Sequence, residues 1–147
     1  MQTTAEEIPM GLSHGGELDG HELLRKYSRV PVDQIEFVAK PTLETIAGIK
    51  RGLLFLVAFW SGPAMRAFGT LTEELADLDF YKYRFVAGDI DGAEELRELQ
   101  EVGDSLMTGD GKTLWIHEGT VQGTLTPIDG RWDRWELERR VSNLGVG

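Results

Sequence analysis

Apolar positions change period several times along the chain, and each change marks an element. Ile35-Glu36-Phe37-Val38 has the length of a short strand. Pro41 then suits a helix first turn, and Leu43, Ile46, Ala47 and Ile49 follow at helical spacing. Leu53 to Phe59 is an unbroken apolar run, long enough only for a strand buried on both faces. Beyond Pro63, the residues Ala64, Phe68, Leu71, Leu75 and Leu78 form one stripe of a helix of about four turns. Tyr83 to Ile90 reads as a second buried strand. Ala93, Leu96, Leu99 and Val102 predict a third helix, acidic on its outer side. Thr113 to His117 and Thr120 to Thr126 predict a hairpin around Glu118-Gly119. Thr126-Pro127-Ile128-Asp129 has the form of a capping box, opening a last helix to about Asn143 with Gly145 as its stop.

The order β-α-β-α-β-α-β-β-α implies an α/β domain. Its first strands are parallel because helices connect them, and the closing hairpin adds antiparallel strands at one edge. Helices then cover both faces of a mixed sheet of about five strands. Residues 33–147 carry this pattern. Residues 1–32 read as an N-terminal arm, with a short helix over residues 19–29 that buries Leu23, Leu24 and Tyr27 and ends before Pro31.

Composition narrows the chemistry. The 147 residues include no cysteine, which excludes disulfides, Cys-ligated zinc, Fe–S clusters and thiol reactions. The formal charge is −10. Between Glu73 and Asp110, twelve acidic residues face only Lys82, Arg84 and Arg97, so nearly all the net charge sits there. Such a surface repels nucleic acid and anionic membrane. The longest apolar stretch, Leu53 to Trp60, falls far short of the roughly 20 residues that span a bilayer. Nothing in Met1 to Gly16 resembles a signal peptide, and a cytoplasmic location is the expectation.

The element order, together with Phe59-Trp60-Ser61-Gly62-Pro63-Ala64, resembles the thioredoxin family. That family places Trp-Cys-Gly-Pro-Cys between its central strand and a long helix. Trp60, Gly62 and Pro63 match, Ser61 stands for the attacking cysteine and Ala64 for the resolving one. Asp89-Ile90-Asp91 resembles the family's Asn-Ile-Asp, and Glu118-Gly119 its last hairpin turn. Gly123 falls where the family keeps a glycine before the final helix. The likeness covers residues 35–144 and implies a thioredoxin-like three-layer sandwich.

The departures bear on function. A thiolate at a helix N-terminus is stabilised by the helix dipole and free N–H groups; a serine hydroxyl has too high a pKa and forms no disulfide. The family's buried carboxylate corresponds to Ala58 here, and its cis-proline to about Lys112. Losing cysteines, proton acceptor and cis-proline together suggests release from redox work rather than an engineered Cys-to-Ser/Ala variant.

The resemblance therefore implies a redox-inactive protein-binding module, an adaptor or assembly chaperone. It would hold an extended polypeptide in a groove around Trp60, Ser61, Gly62, Pro63, Lys112 and Gly123. Glu94, Glu95, Glu98 and Glu101 on the acidic helix offer a second surface, suited to a basic segment of another protein. The alternatives are a thiol-disulfide oxidoreductase seen as a Cys-less variant, or a glutathione enzyme dependent on Ser61. Ser61 reads more simply as a helix N-cap.

No cofactor is expected, and His14, His21 and His117 lack metal-ligand spacing. Asp89-Ile90-Asp91-Gly92 fails the spacing of a calcium loop, and Gly111-Lys112-Thr113 lacks the first glycine of a phosphate loop. Trp132 and Trp135, three apart, are expected to share a buried helix face beside solvated Arg131 and Arg134.

Overall fold

A computed structural model describes residues 22, 25–28, 34–58, 61–99, 102, 111–128 and 130–145. Of the expected N-terminal helix, residues 22 and 25–27 are described. They are helical, and Tyr27 packs against the core.

Five strands form one sheet: β1 (Glu36–Val38), β2 (Arg51–Val57), β3 (Arg84–Asp89), β4 (Lys112–His117) and β5 (Thr120–Leu125). Their order across the sheet is β1-β3-β2-β4-β5. β3 runs parallel to both β1 and β2, whereas β4 is antiparallel to β2 and β5 to β4. The helices are α1 (Leu43–Ala47), α2 (Gly62–Asp77) and α3 (Arg134–Gly145).

β2 is central, and Gly52 through Val57 are buried on both faces, as a continuous apolar run demands. Adjacent residues of β2 point to opposite layers. Leu54 shares its side with Pro41, whose ring would crowd a side chain at Gly88, so the α1 segment covers that face. Phe55 stacks on Phe68 of α2 with centroids 6.4 Å apart and meets the Trp132 ring edge-on at 5.6 Å. Trp115 belongs to the same layer, because it stands opposite Leu53 in the antiparallel register, and it meets Phe80 edge-on at 5.9 Å. Its buried indole Nε1–H donates to Thr113 Oγ1 (2.8 Å), whose own hydroxyl donates to the Leu125 carbonyl (2.9 Å). The polar groups of this aromatic layer are thereby satisfied.

The third expected helix is absent from the described residues. Its place is taken by two 3₁₀ segments, Ile90–Gly92 and Glu94–Glu98. The reason lies in the sequence. Ile90, Ala93, Leu96, Leu99 and Val102 recur every three residues, the period of a 3₁₀-helix rather than the 3.6 of an α-helix. Each of the last four donates its N–H to the carbonyl of the one before it, at 3.0–3.2 Å. All but Leu99 are fully buried.

This staircase also anchors α1. Glu95 Oε2 accepts the Leu43 N–H at 2.9 Å, and Thr42 with Thr45 closes a capping box there. Glu95 is thus engaged by the fold although exposed, Glu94 and Glu98 are also exposed, and Glu101 lies outside the described residues.

The last helix also begins later than expected. Thr126 to Asp129 opens no helix. Instead Ile128 and Arg131 exchange both backbone hydrogen bonds (2.9 and 3.0 Å) around a two-residue turn containing Gly130 at φ +76°. Asp133 is the residue that caps α3, its Oδ1 accepting the Glu136 N–H at 3.2 Å. Trp132 therefore precedes the helix and Trp135 lies within it, so they share no face. Trp132 is buried and donates to the Ala67 carbonyl at 2.8 Å, whereas Trp135 is 64% exposed beneath the Arg139 guanidinium. Arg134, at the start of α3, reaches Glu74 of α2 at 2.6 Å, an exposed pair of modest worth. No helix of the described residues is long and apolar enough to cross a membrane.

If the 3₁₀ staircase is a structural pillar, Leu96→Ala lowers unfolding free energy by about 2–5 kcal/mol, while Glu98→Ala changes it by less than about 0.5 kcal/mol. Urea denaturation followed by tryptophan fluorescence measures both. Equal effects would remove the staircase from the core.

Candidate functional site

The motif segment sits where β2 hands over to α2. Ala58, fully buried, follows the strand and accepts the Ser61 N–H at 3.0 Å. Ser61 adopts extended backbone (φ −106°, ψ 121°) and is only 8% exposed. Its Oγ accepts the Ala64 N–H at 3.2 Å while its carbonyl takes the first helical bond, from Met65. Ser61 is thus the N-cap of α2, as expected, and Pro63 stands in the first turn, where its missing N–H costs nothing. Gly62 and Pro63 are exposed, whereas Ala64 is completely buried.

This end of α2 is where a cysteine would be activated. The hydroxyl there instead satisfies one of the helix's unpaired N–H donors. No group of three or more acidic or histidine side chains able to hold a metal occurs among the described residues.

Two further segments reach the same end of the sheet. Lys112 opens β4 directly opposite Leu56, near the end of β2 from which Ser61 follows. It is half-buried, and this burial holds its ammonium below the usual lysine range. Gly111, immediately before it, has φ +88°; a methyl group added there would stand 2.6 Å from Phe55 Cε1 and 3.0 Å from the Leu56 carbonyl oxygen. Only glycine fits so close an approach. No cis peptide occurs among the described residues.

The other segment is the turn over residues 128–131. Gly130 packs against Arg66 and the Pro63 carbonyl, and its own carbonyl accepts the Thr70 hydroxyl at 2.9 Å. That docking raises Ile128, which is 75% exposed, beside the first turns of α2.

The groove set is therefore brought together only in part. Ser61, Gly62, Pro63 and Lys112 gather at the carboxyl end of β2. Trp60 lies outside the described residues, as do His14 and His21.

Gly123 belongs elsewhere. It pairs with Trp115, which stands opposite Leu53, three residues and about 10 Å further down the sheet than Lys112. Its Cα faces the Arg140 guanidinium of α3. The displacement arises because β5 continues to Leu125 and residues 126–133 intervene before α3. The glycine at the motif end is Gly130 instead. The Asp129-Gly130 dipeptide, a strong hairpin signal, was the cue to it.

Comparison with known proteins agrees with this geometry at the level of fold. No protein-family model matches the sequence, and neither does any curated protein. Solved structures do resemble it. Reduced desulfothioredoxin from Desulfovibrio vulgaris Hildenborough superposes with a TM-score of 0.56 at 14% identity, over 74% of this chain and 95% of its own. Plasmodium falciparum thioredoxin gives 0.51 at 15% identity, over 74% and 97%. The chain has a thioredoxin-like fold, with five strands in a mixed sheet and no sulfur at the motif positions.

Three substitutions test the local physics. Ser61→Ala removes the cap and is expected to lower stability by about 1 kcal/mol, whereas Ser61→Gly costs only a few tenths. Gly111→Ala combines positive φ with a collision on Phe55 and is expected to cost more than about 2 kcal/mol. Chemical denaturation with circular dichroism checks all three, and a Gly111→Ala protein as stable as the parent would discard the close approach.

Proposed function

We propose that this domain is a redox-inactive binding module that holds an extended polypeptide at the carboxyl end of β2. The observation carrying the reading is the junction itself: the strand-to-helix bend is intact and capped, while both sulfur positions are occupied by side chains that cannot exchange disulfides. A scaffold kept in shape without its chemistry retains its surface. Gly62 and Pro63 offer exposed backbone with one N–H absent, Ile128 offers an apolar contact beside them, and Lys112 offers a cation at the rim. The resemblance to the thioredoxin motif would add Trp60, an aromatic able to anchor a bound segment.

The occupant would be part of another protein, as for an adaptor or an assembly chaperone. The exposed carboxylates Glu94 and Glu98 favour a partner with a basic segment nearby.

Against a serine-dependent glutathione enzyme stands the bond from the Ala64 N–H, which engages the hydroxyl as a cap. A thiol-disulfide enzyme in Cys-less form differs in a measurable way. The double variant Ser61→Cys/Ala64→Cys is expected to reduce insulin disulfides no faster than background. Robust turnover would identify an oxidoreductase scaffold and displace the binding reading.

The positive test is affinity capture with the parent protein and with Trp60→Ala and Ile128→Asp. Partners held specifically by the groove are expected to fall at least tenfold in both variants. Recovery of the same proteins in equal amounts from all three would end the groove assignment.

A further inference from the structure

The opposite end of β4 carries a feature that the peptide groove does not use. Among the described residues, the buried side-chain nitrogen and oxygen atoms lacking a hydrogen-bond partner are Arg51 Nε, His117 Nε2 and Arg140 Nε. They are not scattered. Arg51 stands directly opposite His117 in the antiparallel β2–β4 register, so both side chains lie on one face of the sheet. That face is the one carrying Trp115 and covered by α3, from which Arg140 comes. His117 and Arg140 line one cleft of about 400 Å³ with Trp115, Gln122, Gly123 and Asn143.

The backbone is shaped around this cleft. The β4–β5 register slips between Trp115 and Ile116, with Gly123 opposite Trp115 and Val121 opposite Ile116, so Gln122 is the extra residue of a bulge. Bulges re-aim side chains and recur beside functional sites. Gly123 supplies clearance: a methyl group there would lie 3.2 Å from Arg140 Nη1 and 3.3 Å from its Cζ. Arg140 is held in place by its Nη2 donating to the Thr124 carbonyl (3.1 Å), and Glu136 approaches the same nitrogen at 3.8 Å. The guanidinium is therefore positioned, while its Nε–H remains unused.

Buried donors without acceptors cost free energy unless something accepts from them. An imidazole Nε2 donates when it carries the proton, and an amide side chain donates from its NH₂. The groups lining the cleft thus present donors from an arginine, a histidine, a glutamine and an asparagine, with Trp115 as an apolar wall. We propose that the cleft between β4, β5 and the last two turns of α3 binds a small molecule through an oxyanion, a phosphate or a carboxylate group. Arg140 and His117 are its principal donors, and Arg51 adds positive potential from the neighbouring strand.

The test is a titration of the ¹⁵N-labelled full chain with inorganic phosphate and, in a parallel arm, with acetate, each at ionic strength fixed by sodium chloride. Saturating shifts are expected at the Trp115 indole N–H and the Gln122 and Gly123 amides, and the arm that saturates at lower concentration identifies the oxyanion. Arg140→Gln and His117→Gln are each expected to weaken that binding at least tenfold, while Glu44→Gln, exposed on α1, leaves it unchanged. If Arg140→Gln fails to fold, His117→Gln carries the comparison, with dispersion of the amide spectrum as the folding check. Shifts that never saturate, that map to other residues, or that persist equally in the folded variants would overturn the site.

Discussion

Burial of β2 on both faces is the constraint from which the other features follow. A strand with no polar face must have a layer on each side, so Leu54 and Phe55, one residue apart, recruit different layers. It must also have a strand on each edge, supplied by β3 and β4. The chain leaves such a strand only at its ends, and at the carboxyl end it turns at once into the longest helix. The N–H groups of the buried Ala64 and Met65 in its first turn then need acceptors other than water. In a redox protein a thiolate profits from those donors. Here the Ser61 hydroxyl accepts one of them as a neutral cap, so the same geometric demand is met without chemistry.

What could be read from the sequence was whatever the period of apolar residues determines. The strands, the long helix and its serine cap, the hairpin and the mixed sheet all follow from periods of 2 and 3.6 and from local capping signals. The misreadings share one cause, in that short-range signals compete when several fit. The spacing of Ala93, Leu96, Leu99 and Val102 suits one face of an α-helix, but a strict repeat of three belongs to a 3₁₀ staircase. Thr126-Pro127 resembled a helix start, but the Asp129-Gly130 turn and the Asp133 cap are the stronger signals, and they move the helix start to Arg134. Trp132 and Trp135 were separated by that same shift.

The groove was legible where it follows the chain and illegible where it depends on register. Ser61, Gly62 and Pro63 are contiguous and stay together wherever the bend forms. Lys112 and Gly123 reach the site only if strand pairing delivers them. Lys112 pairs with Leu56 and arrives, whereas Gly123 is carried to the level of Leu53 by the bulge at Gln122 and the continuation of β5. A bulge shifts alternation by one residue and leaves no compositional trace. The oxyanion cleft was hidden for the same reason. Arg51, His117 and Arg140 lie far apart in sequence, and only the β2–β4 register and the packing of α3 unite them.

Net charge of −10 would seem to disfavour any site for anions, but the distribution of charge decides otherwise. Screening at physiological salt acts over about 8 Å, so a bound group senses the side chains lining its cleft far more than carboxylates beyond that distance. Of the described acidic residues between Glu73 and Asp110, Glu73, Glu74 and Asp77 lie on α2, Asp89 on β3 and Asp91, Glu94, Glu95 and Glu98 on the staircase, whereas β4, the turn after it and residues 136–145 of α3 contribute Lys112, Arg139 and Arg140 against Glu118, Glu136 and Glu138. At the cleft itself Arg140 stands 3.8 Å from Glu136, and Arg51 lies opposite His117 on the neighbouring strand. Burial then amplifies what remains, because a guanidinium screened from water interacts more strongly with an incoming anion than one in solvent. The two ends of β4 are thus different environments on one strand. One end presents backbone and apolar surface suited to a polypeptide, and the other presents fixed donors suited to a small charged group.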